Sequence, residues 1–143
     1  MITFQNIIEQ LPGLLDGLLN STEYRFEDLT EGKIKKILES QNAVAGVYIM
    51  YDKQQPVYIG RSKTLAQRIG TDQRSIQESQ ATVASKLVKL GLENINTMSE
   101  ARDYMYRNYT IKIIRIDDEY VRTIFQVYSS MLLNTKYNNF LER

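Results

Sequence analysis

Apolar residues recur at helical spacing from Ile7 through Ile8, Leu11, Leu14, Leu15 and Leu18 to Leu19, which predicts a helix over 3–19. Pro12-Gly13 is expected to kink or split it. A second, short helix is expected over 30–40. The period then changes. Val44 to Met50 and Pro56 to Ile59 read as the two strands of a hairpin, linked through Asp52-Lys53-Gln54-Gln55. Ser62 is placed to cap a following helix that turns Leu65 and Ile69 inward, four residues apart. A long helix over 76–91 should end at Gly91, and a shorter one is expected over 98–107. The run YTIKIIRI offers Ile111, Ile113 or Ile114, and Ile116 to a third strand. Over 119–133, Val121, Ile124, Phe125, Tyr128 and Leu132 share one face of a closing helix. Two helices, a hairpin, helices, a strand and a helix make an α+β order.

Composition narrows the chemistry. A chain of 143 residues, 43% of them hydrophobic, fits one domain with a real core. It has no cysteine and no histidine, so disulfides, thiolate nucleophiles, zinc-thiolate sites and imidazole bases are all excluded. Any catalysis must use Tyr, Arg, Lys or carboxylates. No apolar run reaches bilayer-spanning length, and the opening MITFQNIIEQ lacks the basic stretch of a signal peptide, so a cytoplasmic protein is expected. Net charge is only +1, but its distribution is uneven. Arg61, Lys63, Arg68, Arg74, Lys86 and Lys89 lie between 60 and 90 against Asp72 and Glu78 alone. Such a stretch is either a solvated face or an electrostatic track for nucleic acid.

Within the hairpin, Gly46-Val47-Tyr48 is followed by Tyr58-Ile59-Gly60 and then by R-S-x-x-L-x-x-R ending at Arg68. Tyrosines in a hairpin are ordinarily cross-strand packing residues. Their linkage to Leu65, Arg68 and the terminal TIFQVYSSMLLNTKYNNF is more specific. Together these residues resemble the GIY-YIG nuclease family over about residues 44–140. The resemblance divides the chain into an N-terminal helical extension, 1–42, and a GIY-YIG nuclease-like domain, 43–143. It implies an α+β fold with a small three-stranded mixed sheet flanked by helices, and metal-dependent endonuclease action on DNA phosphodiester bonds.

By that resemblance the catalytic set is Tyr48, Tyr58, Arg68, Gln126 and Asn138. A tyrosine oxygen can position or deprotonate the attacking water when a nearby cation lowers its pKa, and Tyr48 takes that role with Tyr58 assisting. Arg68 offers a planar, permanently charged fork to the scissile phosphate. Gly60 would let backbone approach that phosphate. Arg61, Lys63, Gln73 and Arg74 are the candidate nucleic-acid contacts, although Arg61 reads equally as an exposed strand-end charge.

Two positions depart from the family pattern. The family glutamate that binds Mg²⁺ (or Mn²⁺) is replaced by Gln126, whose neutral amide keeps the shape and loses most of the attraction for a hard cation. Metal affinity and turnover should fall. Where many relatives carry a His or Tyr the chain has Gln73, which cannot exchange a proton near neutral pH, with Asp72 beside it as a fallback acid. Periodicity alone turns Gln126 roughly 140–160° from the apolar stripe, onto a face with Arg122 and Ser130. Three origins fit a Gln there: an exchange made to trap substrate, a natural loss of activity with binding retained, or a different register. Asp117, Asp118 and Glu119 read either as a metal cluster or as the acidic start of the last helix. The alternative function is a catalytically dead GIY-YIG domain that binds nucleic acid or a protein. Scaffolding through a homodimer of the Leu-rich N-terminal helices is a third.

Overall fold

A computed structural model describes residues 2–140. Helix α1, Phe4–Leu19, is capped by Thr3 and runs unbroken through Pro12, so the expected split does not occur. Proline removes the donor to the carbonyl of Ile8, and Ile8 lies at the surface, where water can satisfy that oxygen. Strand β1, Tyr24–Arg25, and helix α2, Glu31–Ile37, complete the first segment. Strands β2, Gly46–Asp52, and β3, Gln55–Ser62, form the expected hairpin. Its turn is Lys53-Gln54, both at positive φ (49° and 77°), the arrangement that matches strand twist. Helix α3, Leu65–Gln67, passes directly into a π-helical turn, Arg68–Asp72. Then come α4, Thr82–Leu90, α5, Met98–Asn108, β4, Tyr109–Arg115, and α6, Glu119–Leu133.

The sheet has four strands in the order β1-β4-β2-β3, and every pairing is antiparallel. This corrects the three-stranded mixed sheet that the resemblance implied. The added strand is two residues long, too short for any alternation to register. The direction of β4 is set by the path through α3 to α5, which no local pattern encodes.

Central β2 is paired on both edges and covered on both faces, so it reads as an unbroken apolar run. Tyr48 and Met50 point into a core with α4, α5, Phe26, Ile34 and Leu65. Val47, Ile49, Tyr51 and Ile59 point the other way, against Ile7, Leu11 and Leu18 of α1 and Val121 and Phe125 of α6. The first segment therefore supplies a strand and part of each core, with Ile7, Leu11 and Leu18 of α1 buried and Phe4 and Ile8 exposed. Leu65 and Ile69 are buried as expected, whereas Leu132 of the closing helix is exposed. Asp118 caps α6 by accepting from the Val121 amide, the helix-start role. No helix among the described residues is long and apolar enough to cross a membrane.

Candidate functional site

The structure brings Tyr48, Tyr58 and Arg68 together. The tyrosine rings lie 6.2 Å apart, centroid to centroid, tilted by 52°. Arg68 lies close enough to Tyr48 to pull its phenol toward ionisation, and it is about a fifth exposed. Two further groups hold it in place: Nη1 donates to the Gln80 carbonyl at 2.7 Å and Nη2 to Thr82 Oγ1 at 3.2 Å. Asp72 stands 3.7 Å from Nη1, an ion pair and not a free acid. The glycine that opens room here is Gly60, directly opposite Tyr48 across the ladder. A Cβ at 60 would run into the Tyr48 ring, so Gly60 makes space for the phenol and not for a phosphate.

The π-helical turn explains how Gln73 joins the group. Five residues of ordinary helix would carry a side chain roughly 140° around the axis from Arg68. Closing instead with a bond from the Gln73 amide to the Arg68 carbonyl, 2.9 Å, returns both side chains to one face. Gln73 Nε2 then donates to Tyr48 Oη at 2.9 Å and to Thr82 Oγ1 at 3.0 Å. Gln73 is wholly buried, so it orients Tyr48 and does not touch nucleic acid directly. Thr82 and the Gln80 carbonyl had no signal in the sequence. The helix expected from 76 begins only at Thr82, and the segment before it delivers both groups to Arg68.

Tyr48 is fully buried. Burial first, and the neighbouring Tyr58 second, push its pKa well above the usual phenol range, against the opposing pull of Arg68 and Gln73. At neutral pH it is a neutral, oriented phenol. Like Gln73 it is shut off from solvent, so it braces Arg68 and Tyr58 from beneath and is not a ready base.

Gln126 and Asn138 form a second group on the backbone of Ile59. Asn138 Oδ1 accepts from the Ile59 amide at 2.8 Å and its Nδ2 donates to the Ile59 carbonyl at 2.8 Å. Gln126 Nε2 donates to that same carbonyl at 3.0 Å. Thr135 Oγ1 donates to Asn138 Oδ1, and the Tyr137 amide donates to Val57 O, so the chain after α6 seals the open edge of β3. Asn138 is a support for β3 and not a reacting group. Among the described residues Gln126 makes no hydrogen bond to Tyr48, Tyr58 or Arg68.

A divalent cation at 126 does not fit this donor set. Gln126 Oε1, the one oxygen available, accepts from Arg61 Nε at 2.8 Å, which puts a guanidinium where the cation would stand. No three acidic side chains gather among the described residues, and Asp117 is paired with Arg115 while Asp118 caps α6.

Of the remaining basic residues, Lys63 is exposed. Arg74 is not part of a positive track. It donates to the carbonyls of Phe26 and Glu27 and lies over the rings of Phe26 and Tyr106, 5.7 and 4.9 Å from their centroids, tying down the first segment. Lys86 likewise donates to the Tyr137 carbonyl. Comparison with known proteins adds no relative: no family model and no curated protein matches the chain.

Proposed function

We propose that this chain is a GIY-YIG-type domain whose tyrosine–arginine site receives a nucleic-acid phosphodiester, and that in the form carrying Gln126 it binds DNA with metal-dependent hydrolysis lost or much reduced. The observation that carries the reading is the convergence of Tyr48, Tyr58 and Arg68, three residues spread over 21 positions of sequence, at one partly exposed guanidinium. A guanidinium fork beside the half-buried Tyr58 phenol, with Tyr48 packed behind it, is suited to a phosphate. Tyr48 and Gln73 hold the geometry, and Arg68 supplies the charge.

A second reading, the active endonuclease, follows from the motif register, which puts residue 126 where the resembled family carries its metal-binding glutamate. Cleavage of supercoiled and single-stranded DNA in Mg²⁺ or Mn²⁺, with DNA affinity measured in parallel, separates them. Salt-sensitive binding without cleavage is expected from this chain. Cleavage gained on Gln126→Glu would establish the nuclease; binding by both proteins with cleavage by neither would leave the binding module. DNA binding by neither, or affinity unchanged in Arg68→Ala, would refute the phosphodiester site altogether.

A further inference from the structure

Outside that site, a cleft among the described residues carries an unbalanced charge. It has a volume of about 300 Å³ and lies between the end of β3 and the first turns of α6, lined by Arg61, Ser62, Lys63, Glu119, Arg122 and Thr123 among others. Three cations face one carboxylate. The neighbouring acids are committed elsewhere, Asp117 to Arg115 and Asp118 to the Val121 amide.

Arg122 is the decisive residue. It is 4% exposed, and no carboxylate among the described residues pairs with it. Its Nη1 donates to the carbonyls of Ile116 and Asp117 at 3.2 and 2.7 Å. No bond from its Nε or Nη2 to a described group is found, neither is among the buried atoms left without a partner, and Arg122 lines the cleft. Burying a guanidinium without a countercharge is costly, and an anion in the cleft would remove that cost. Arg61 is already oriented. Its Nε is fixed by Gln126, so its two outer nitrogens are held in the fork geometry that grips a tetrahedral anion.

We infer that this cleft is a phosphate-binding subsite, recognised by Arg61, Lys63 and Arg122. It rests on the reading above for its nucleic-acid source. Tyr58 faces the α4–α5 side of β3, whereas Arg61 faces the α6 side, and β3 is an edge strand. A nucleic-acid strand crossing that edge meets Arg68 on one side and the Arg61 cleft on the other. The subsite would hold a phosphate flanking the one at Arg68, and it needs no metal.

The test uses the full chain with two probes. Inorganic phosphate is titrated while the backbone amide resonances of Ser62, Lys63, Tyr120 and Arg122 are followed by nuclear magnetic resonance. Saturable shifts at these amides are expected, and they should disappear in Arg61→Gln combined with Lys63→Gln, both exposed positions that leave the fold intact. Single-stranded DNA is then titrated at several salt concentrations. Each lost phosphate contact should lower the slope of log affinity against log salt by about 0.7, and a methylphosphonate strand of the same sequence should show no difference between the proteins. Phosphate shifts without any DNA binding would keep the subsite and sink the nucleic-acid reading. DNA binding with normal slope in the double variant, and no phosphate shifts in the cleft, would overturn the subsite while leaving Arg68 untouched.

Discussion

Gly60→Ala tests the packing on which the tyrosine–arginine site depends. The added Cβ would lie 2.5 Å from Tyr48 Cε1 and closer still to Cζ and Oη. Comfortable carbon contacts are about 3.5–4.0 Å, so the ring must withdraw by about 1 Å or more. It has nowhere to go: Tyr48 is wholly buried and its hydroxyl is held by Gln73. Overpacking of this kind costs about 1–3 kcal/mol. Breaking the Gln73 bond strands a buried amide and adds about 1 kcal/mol. The sum, about 2–4 kcal/mol, is a large share of a typical stability of about 5–15 kcal/mol. At roughly 3 °C for each kcal/mol it should lower Tm by roughly 6–12 °C.

Urea unfolding followed by circular dichroism measures this directly. Gly13→Ala is the control, because nothing lies within 4 Å of its added Cβ inside α1. It should be stabilising by about 0.5–1 kcal/mol. Tyr48→Phe leaves Cε1 and Cζ in place and should not rescue Gly60→Ala, whereas Tyr48→Leu removes the ring and should absorb most of its cost. An unchanged urea midpoint in Gly60→Ala, or the same penalty in the Tyr48→Leu background, would show that the glycine does not make room for that ring.

Three further outcomes are expected. Asn138→Ala leaves the Ile59 amide without its acceptor, so it should cost about 1–3 kcal/mol and speed hydrogen exchange at Ile59 above that of neighbouring strand amides. Gln73→Leu removes both donors to Tyr48 and Thr82; it should lower stability by about 1–3 kcal/mol, read from the urea midpoint, and weaken DNA binding through Arg68. At alkaline pH, Tyr48, Tyr51, Tyr109 and Tyr137 all have pKa values raised, first of all by burial. Their folded-state values lie above the unfolded value of about 10, so stability should be full below about pH 10 and fall as pH rises past it. Phenolate absorbance should then appear together with unfolding, and four tyrosines ionising freely in the native state would contradict it.

Much of this molecule can be read along the chain. Helix α6 matches its expected span, Leu65 and Ile69 are buried, and the hairpin turns where Asp52 to Gln55 suggested. These features depend on near neighbours. Periodicity misled at one instructive place, the face of α6 with Arg122, Gln126 and Ser130. That polar face is turned inward, with Arg122 and Ser130 buried, while Tyr120, Val127 and Met131 lie outside. A helix beside an exposed strand edge needs donors there, because unpaired carbonyls such as that of Ile59 must be satisfied.

By itself the sequence determined the first and last helices, the hairpin and β4, and which tyrosines and arginine stand at related spacings, since these follow from side-chain chemistry within a few residues. Only the tertiary structure decided that β1 joins the sheet, that a π-helical turn brings Gln73 beneath Tyr48, and that Gln126 meets Arg61. Those outcomes are set by hydrogen bonds between residues up to 87 positions apart, Tyr24 against Ile111 among them. Their geometry exists only once the sheet has closed around its two cores.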